Sequence, residues 1–390
     1  MKKILILSFY YYPDLCAGSF RCTAFVNSLK KIIKNDDIVD IITTMPNRYH
    51  SFNVKTKNYE KLSDNISISR IDVGSHKSGF VDQSISFSKF LRGAYKLAFN
   101  KNYDIVFATS SRLMTAFLGS LIANKHKAML YLDMRDIFLD TMQSIFERRN
   151  SKLKYFLPLF KVIEKNTIKR ANHINLVSEG FLNYFKQINP NNIYSFYTNG
   201  IDDEFLNFDF TKEKKTDKKI ITYAGNIGEG QGLENIIPQL ANILSNYEFW
   251  IIGDGGRKDK LLKELDKYNI KNVFVKKPVN RKELLYIYKD SDILFLHLND
   301  YEAFEKVLPS KIFEYAATNK FIIAGVNGFA KKFIENNISD SLVFKPNNEK
   351  DFIRKFKNII IKDNINRSEF IKRYKRENIM DNMAKEVYSL

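Results

Sequence analysis

Short continuous apolar runs recur along this chain, separated by stretches with the length and composition of helices. Runs such as residues 3–8 and 293–298 lack the polar alternation of a half-exposed strand, which is typical of strands buried on both faces of a parallel sheet. Strand and helix alternate through both halves, and this order predicts an α/β protein with doubly wound sheets. Further strands of the first half are predicted at residues 38–43, 66–73, 105–108, 128–133 and 174–177.

A polar, lysine-rich segment at residues 203–219 interrupts the alternation and has the composition of a linker. With 390 residues, the chain is long enough for two domains that each bury a core. We therefore predict a first domain over residues 1–203, a second over residues 218–365 and a separate C-terminal helix over residues 366–390.

The segment from residue 309 to residue 324 carries the strongest indication of a ligand. Pro309, Ser310 and Lys311 are predicted to begin a helix, because proline is tolerated in a first helical turn. A helix N-terminus attracts phosphate, and Lys311 adds a positive charge there. Glu314 lies one turn later, where it can accept hydrogen bonds from hydroxyl groups. These features indicate a nucleotide sugar, and the alternative is an ordinary capped helix before a buried strand.

The sequence VLPSKIFEYAATNKFIIA, residues 307–324, resembles the donor-site segment of family-four retaining glycosyltransferases with the GT-B fold, and especially their bacterial O-antigen and capsule branch. The resemblance implies two Rossmann-like domains facing across a cleft, with the acceptor bound by the first and the donor by the second. It also implies that the C-terminal helix crosses back to the first domain. Sugar transfer would retain the anomeric configuration and need neither a metal ion nor a cofactor besides the nucleotide-sugar substrate.

By this resemblance, the donor contacts come from the second domain: Gly225, Asn226, Gln231, Gly253, Gly255, Val279, Lys306, Ser310, Lys311 and Glu314. Three positions depart from the family pattern. Asn226 and Gln231 stand where many relatives have an arginine and a lysine that bind the diphosphate. Lys306 stands where the first glutamate of a Glu-x7-Glu pair is usual. We expect Lys306 and Lys311 to take over the diphosphate contacts, and we count Lys311 and Glu314 among the catalytic residues.

The loop after the first strand is predicted to extend to Arg21, before a helix over residues 22–34. Ligands of doubly wound sheets bind at the carboxyl ends of strands. In the family resembled, the corresponding loop lies under the transferred sugar and the acceptor. Gly18, Ser19 and Arg21 are therefore candidate acceptor contacts, and the alternative for Arg21 is a surface arginine on a helix.

Asp133, Arg135 and Asp136 follow one another at the end of a predicted strand, where clustered charges favour a functional interpretation. They resemble a cleft-facing segment of the family's first domain, so we count them among the candidate catalytic residues. Arg135 replaces a histidine found in some relatives, which removes a proton-transfer role for that position. The alternative is an internal ion-pair cluster that shapes the loop.

The net charge of +18 is concentrated in residues 1–200, which hold 29 Lys and Arg against 15 Asp and Glu. This asymmetry predicts an anionic partner, either a membrane surface, a polyprenyl-diphosphate-linked acceptor or a nucleic acid. No nucleic-acid-binding module is recognisable, so we expect no nucleic acid. Residues 87–99 and 148–160 interleave basic and aromatic side chains, which suits an anionic bilayer, although the aromatics also suit a core.

Cys16 and Cys22 form neither a disulfide framework nor a zinc site, so we expect a cytoplasmic protein, peripheral on the inner face of the membrane. The predicted function is transfer of a sugar from a nucleotide diphosphate to a lipid-linked saccharide in bacterial surface polysaccharide synthesis. UDP and an N-acetylated amino sugar follow from the branch resembled. The alternatives are a nucleotide-sugar epimerase of the same fold and a non-catalytic pseudo-transferase that scaffolds assembly at the membrane.

Overall fold

The structure, a computed structural model, describes residues 1–14, 16–47, 54, 56–74, 80–110, 113–140, 142–143, 152–212, 218–357, 359–362 and 365–390. The chain divides into two compact units, one formed by residues 1–199 with residues 376–390, and the other by residues 200–375. The described part of the predicted linker therefore belongs to the second unit. Of the predicted C-terminal helix, only the part from Arg376 onward belongs to the first unit.

The first unit contains an eight-stranded sheet. Its strands are β1 (Lys3–Ser8), β2 (Ile38–Thr44), β3 (Tyr59–Ser63), β4 (Ile66–Ile71), β5 (Ile105–Ser110), β6 (Met129–Met134), β7 (His173–Leu176) and β8 (Ile193–Ser195). They lie in the order β3-β4-β2-β1-β5-β6-β7-β8, and all neighbours are parallel except β3 and β4. The predicted strands are confirmed, and the structure adds the short edge strands β3 and β8, whose residues are mostly half-buried or exposed.

The helices that connect these strands include α1 (Ala17–Lys30), α2 (Phe80–Ala98), α3 (Leu113–His126), α4 (Leu157–Arg170) and α5 (Leu182–Ile188). The predicted start of the first helix, at residue 22, is wrong. Gly18 and Ser19 were interpreted as loop residues, but they lie in the first turn of α1. The guanidinium of Arg135 occupies the space that a side chain at position 18 would fill, which accounts for a glycine within this helix. This contact lies far along the chain and leaves no local signal.

The second unit contains a six-stranded parallel sheet. Its strands are β9 (Lys219–Asn226), β10 (Tyr247–Asp254), β11 (Val273–Lys276), β12 (Ile293–His297), β13 (Phe321–Gly325) and β14 (Ser341–Phe344), in the order β11-β10-β9-β12-β13-β14. Its helices are α6 (Asp203–Leu206), α7 (Ile237–Ile243), α8 (Lys258–Lys267), α9 (Arg281–Asp290), α10 (Lys311–Ala317), α11 (Gly328–Asn337), α12 (Glu349–Phe356) and α13 (Ser368–Arg373). The predicted helix start at Pro309 is wrong by two residues, since Pro309 and Ser310 form the turn before α10.

The last helix, α14 (Arg376–Ser389), packs on the first unit. Met380, Met383, Ala384 and Val387 are buried in the same cluster as the apolar residues of β1 and α1. Lys31 of α1 also pairs with carboxylates of α14. The final helix therefore completes the core of the first unit.

Both sheets have a point where the strand order reverses direction, between β1 and β5 in the first unit and between β9 and β12 in the second. Helices that connect strands on either side of such a point diverge, which leaves a crevice at the carboxyl ends of the strands. The predicted fold class, two Rossmann-like doubly wound domains, is confirmed. In the described part of the chain, no helix is both long and apolar enough to cross a membrane.

Candidate functional site

The carboxyl ends of β9 and β10 carry turns whose backbone favours glycine. Gly225 has a φ of 148° and Gly253 a φ of 154°, values that strain any residue with a side chain. A Cβ atom at Gly253 would overlap the carbonyl oxygen of Gly225, and one at Gly255 would lie 2.5 Å from the carbonyl oxygen of Ile227. The two predicted glycine turns therefore lie against one another, and main-chain groups line this edge of the sheet.

Lys311 brings a positive charge to this edge. Its side chain packs on the main chain of Gly225, where a Cβ atom would lie 2.6 Å from Lys311 Cε. Its Nζ lies 6.0 Å from the ring centre of Tyr223. Burial lowers the pKa of Lys311, which the charge of Glu314 opposes and that of Arg281 reinforces. No carboxylate of the described residues forms an ion pair with the ammonium, so its charge is open to an anionic ligand.

Glu314 lies one turn further along α10, and Arg281 fixes its carboxylate. Arg281 Nη1 donates to Glu314 Oε1 over 3.2 Å, and the same guanidinium pairs with Asp202 and Glu204. It also lies 4.9 Å from the ring centre of Phe205. Burial alone would lower the pKa of Arg281, but the three carboxylates outweigh burial and raise it. The carboxylate of Glu314 is thus held in one orientation by a permanent cation.

Asn226 and Gln231, two of the positions that depart from the family pattern, are joined by a hydrogen bond. Asn226 Nδ2 donates to Gln231 Oε1 over 2.9 Å, close to the main chain of Gly228. The main-chain oxygen of Asn226 accepts from Tyr223 Oη over 2.6 Å. These contacts hold the glycine turn in shape, and neither side chain brings a positive charge to a diphosphate.

Ser310, Lys306 and Val279 lie on turns of the second unit. Ser310 immediately precedes α10, and its main-chain oxygen accepts from the amide of Phe313 over 3.2 Å. Lys306 ends the short 3-10 helix Glu302–Lys306, and Val279 lies half-buried in the loop between β11 and α9. Because α10 has only seven residues, the predicted attraction for phosphate depends on the charge of Lys311 rather than on the helix end. Donor contacts by these three residues stay predictions.

His297, the buried last residue of β12, has a partner at each ring nitrogen. Its Nδ1 lies 2.6 Å from the carbonyl oxygen of Gln231, and the amide of Asn347 donates to Nε2 over 3.1 Å. This pairing requires a neutral ring that carries its proton on Nδ1. Burial lowers the pKa of His297 to about 4. His297 is therefore a core residue, and its ring supports the turn that contains Gln231.

In the first unit, Arg21 and Asp133 form an ion pair inside the protein. Arg21 Nε and Nη2 donate to the two carboxylate oxygens of Asp133, each over 2.8 Å, and both side chains are 1% exposed. Arg21 also donates to the carbonyl oxygens of Tyr197 and Thr198, over 2.7 and 2.8 Å. Arg21 is therefore not a surface arginine. Its acceptor contact stays a prediction, which this burial disfavours.

Asp133 is held in its ionised form. Thr109 Oγ1 and Asn175 Nδ2 donate to its carboxylate over 2.7 and 2.8 Å. Burial would raise the pKa of Asp133, but the charge of Arg21 and the hydrogen bonds outweigh burial and hold the pKa below its usual value. The alternative of an internal ion-pair cluster therefore fits Asp133 better than proton transfer does.

Arg135 lies against the first turn of α1, beside Gly18. Its Nε is buried without a hydrogen-bond partner among the described residues, and burial lowers its pKa. Asp136 Oδ1 accepts from the amide of Ile137 over 2.9 Å, and Ser19 is buried in the first turn of α1. The structure thus brings the predicted acceptor residues next to the predicted catalytic segment, within the first unit.

Sequence reasoning missed two charged residues near the glycine turns. Arg281 has no motif around it. Its one signal is that it begins a helix directly after the loop that contains the predicted donor contact Val279. Glu229 lies inside the glycine-rich turn, pairs with Arg257, and accepts from Tyr301 Oη over 2.8 Å. A carboxylate among closely spaced glycines was the available signal for Glu229.

Comparison with known proteins gives a family match over most of the second unit. Residues 205–377 match the family model described as glycosyl transferases group 1. A stretch of 168 residues is 27% identical to WcaI of Escherichia coli, a protein named for a glycosyl transferase of colanic acid biosynthesis, and covers 39% of this chain. The match spans 40% of the length of that relative.

Two solved structures share the fold along the whole chain. The structure of Anabaena HepE in complex with UDP and glucose has a TM-score of 0.68 at 13% identity, with 100% of both chains covered. The UDP-GlcNAc 2-epimerase from Neisseria meningitidis bound to UDP-GlcNAc has a TM-score of 0.57 at 14% identity, again over 100% of both chains. Likeness at this level of identity concerns the fold. The match to the family model covers residues 205–377, which is less than half of the chain, and it includes the donor segment at residues 307–324.

Proposed function

We propose that this protein is a retaining glycosyltransferase that moves a sugar from a nucleotide diphosphate donor to a lipid-linked saccharide in bacterial surface polysaccharide synthesis. The observation that carries the proposal is the position of Lys311. Its ammonium lies without a carboxylate partner, among the described residues, against the glycine turn at the end of β9. This turn lies beside the point where the strand order reverses, within the domain that matches the family.

Sugar transfer requires stabilisation of a departing diphosphate. The bond between the anomeric carbon and the diphosphate oxygen breaks, the acceptor oxygen bonds to that carbon, and the acceptor proton passes to the leaving phosphate. Lys311 would neutralise the negative charge that grows on the leaving group, and a fixed charge in a partly buried site costs little reorganisation. Glu314, oriented by Arg281, would accept hydrogen bonds from ribose or sugar hydroxyls. A metal-free reaction stays a prediction.

The nature of donor and acceptor rests on the relatives. HepE was solved with UDP, and WcaI is named for colanic acid biosynthesis. We therefore propose UDP as the nucleotide. The resemblance of residues 307–324 to the O-antigen and capsule branch leads us to propose an N-acetylated amino sugar as the transferred group and a polyprenyl-diphosphate-linked saccharide as the acceptor. The positive charge of residues 1–200 supports work at the inner face of an anionic membrane.

A nucleotide-sugar epimerase is the second candidate, because an epimerase of this architecture covers the whole chain. A pseudo-transferase is the third, because Asn226 and Gln231 bond to one another and supply no positive charge. The three candidates differ in what they do to the nucleotide. A transferase releases it mainly with an acceptor present, an epimerase converts the donor sugar with no acceptor present, and a scaffold does neither.

A donor screen with the purified chain tests the proposal. UDP- and other nucleotide-linked sugars would be incubated with and without a lipid-diphosphate acceptor, while nucleotide release and sugar products are followed. We expect release that requires one donor and rises with the acceptor. Acceptor-independent sugar conversion would establish the epimerase, and binding of nucleotide without any product would establish the scaffold.

A further inference from the structure

The outer face of α4 is unusual for a surface helix. Exposed helix faces are ordinarily polar, yet Tyr155, Phe156, Leu159 and Val162 are 76, 55, 57 and 57% exposed. Tyr155 and Phe156 end the short 3-10 helix Lys152–Phe156, which runs directly into α4. We call these four residues the α4 apolar face. Phe156, Leu159 and Val162 follow one another at intervals of three residues, which places them along one side, and Tyr155 lies beside Phe156 at the start of this row.

The exposed charges on α4 itself all have a positive sign. Lys161, Lys165 and Lys169 are exposed on α4. Glu164 is the single carboxylate of the helix, and it is buried, bonded to Tyr184 and directed away from solvent. Apolar side chains flanked by lysines, with no exposed carboxylate on the helix, match the composition of helices that lie in the headgroup region of anionic bilayers.

Two other helices with similar sequences do not have this face. On α2, the other basic aromatic stretch predicted from the sequence, Phe87 and Phe90 are buried, and the ammonium of Lys125 lies over the exposed ring of Phe99. Ile85 and Leu97 are exposed on α2, but they lie twelve residues apart and form no continuous row. On α8, Leu262 is exposed among lysines, but Asp259, Glu264 and Asp266 are interspersed with them. A continuous row of exposed apolar groups, on a helix that has no exposed carboxylate of its own, distinguishes α4 from both. Residues 148–151 of the predicted stretch lie outside the described residues.

We propose that the α4 apolar face is where this protein docks on an anionic lipid bilayer. The inference rests on the proposed function for its biological setting and assigns the membrane contact to a particular surface. The apolar side chains enter the headgroup boundary, and Lys161 and Lys165 contact lipid phosphates beside them. Because the inner side of α4, with Glu164, Thr167 and Ile168, stays packed on the first unit, docking needs no unfolding of the helix.

Sedimentation with vesicles tests this surface without any measurement of catalysis. The full chain would be mixed with phosphatidylcholine vesicles that contain about one part in three phosphatidylglycerol, and with pure phosphatidylcholine vesicles. We expect binding to the anionic vesicles that falls steeply in about 0.5 M salt, where charges are screened within a few ångströms. Absence of binding to anionic vesicles at low salt would overturn the proposal.

Three variants locate the contact. Leu159→Gln/Val162→Gln is expected to lower the partition coefficient by about tenfold or more, because apolar area no longer leaves water. Lys161→Gln/Lys165→Gln is expected to lower it by about fivefold for each lysine, on anionic vesicles only. Leu262→Gln on α8, the matched control, is expected to bind like the wild type. All changed residues are exposed, so we expect each variant to fold like the wild type. Circular dichroism melting curves check this.

Further results separate this proposal from its rivals. Wild-type vesicle binding by Leu159→Gln/Val162→Gln would show that another surface docks. A dimer in light scattering that this variant converts to a monomer would instead make the α4 apolar face an interface between copies of the chain. Nucleotide release with a water-soluble acceptor reports the proposed function separately. If the protein does not bind vesicles but releases nucleotide, only the docking proposal is refuted. If it binds vesicles but releases no nucleotide, only the proposed function is refuted.

Discussion

Each unit places a cation beside the loop that follows its first strand, but the two cations have opposite surroundings. In the first unit, Arg21 is buried and neutralised by Asp133, with two main-chain carbonyls as further acceptors. In the second unit, Lys311 lies on the main chain of Gly225, and among the described residues no carboxylate pairs with it. A satisfied charge holds a fold together, whereas an unsatisfied one is available to a ligand.

The largest expected effect is a loss of stability when the ion pair between Arg21 and Asp133 is broken. Asp133→Asn preserves shape but leaves the guanidinium of Arg21 buried without its counter-charge. We expect a loss of about 3–5 kcal/mol in the free energy of unfolding, measured in urea. Asp64→Asn, in an exposed turn, serves as control and should change stability by less than about 0.5 kcal/mol. If Asp133→Asn were equally mild, the pair would not be structural.

The open charge should behave in the opposite way. Lys311→Ala is expected to lower turnover by about 10²–10³-fold, the usual loss for one group that stabilises a developing anion. Stability should change little, because no ion pair within the described residues is lost. Lys332→Ala, on the exposed side of α11, is the control for removal of a lysine. Wild-type turnover in Lys311→Ala would remove Lys311 from the mechanism.

His297 tests whether Lys311 is an exception among the buried titratable groups of the second unit. Unlike Lys311, His297 has a hydrogen-bond partner at each ring nitrogen. Its pKa is about 4 in the folded chain and about 6.5 when unfolded, so protons bind the unfolded state more readily between these values. Stability should therefore fall as the pH is lowered, by about 2 kcal/mol from pH 7.5 to pH 5. The difference in pH dependence between the wild type and His297→Gln measures this share. No difference would mean that the ring is not held neutral.

The smallest expected effect concerns Arg281, which orients Glu314 without being assigned a contact with the donor. Arg281→Gln removes a charged hydrogen bond, so we expect KM for the donor to rise about tenfold while kcat changes less. A melting curve reports the accompanying loss of ion pairs with Asp202 and Glu204. Arg281→Lys should restore part of the donor affinity. A fall in kcat alone would assign Arg281 a role in the chemical step.

The sequence predicted features whose cause is local. The continuous apolar runs correspond to strands of the two sheets, because a strand buried on both faces needs apolar side chains on both sides. The glycines at positions 225 and 253 correspond to turns of positive φ. The lysine of the donor segment lies against the glycine turn at the end of β9, and its contact with a phosphate stays a prediction. These signals are contained in a few consecutive residues each.

What could not be predicted depends on distant partners. The first turn of α1 was interpreted as a loop because glycine and serine disfavour helices, and the contact of Gly18 with Arg135 has no local trace. The burial of Arg21 depends on Asp133, which lies 112 residues away. Arg281 was missed because its partner on α10 is 33 residues further on. Short edge strands such as β8 lack enough residues to show a period.

The packing of α14 fixes the order in which the protein can be completed during synthesis. The first unit lacks part of its apolar interior until Met380, Met383 and Val387 have left the ribosome, although its first strand emerged more than three hundred residues earlier. A nascent chain of 375 residues already holds every residue of the second unit. A premature stop codon just before α14 would therefore damage the first unit, far from the lesion in sequence, and leave the second unit with its full set of residues.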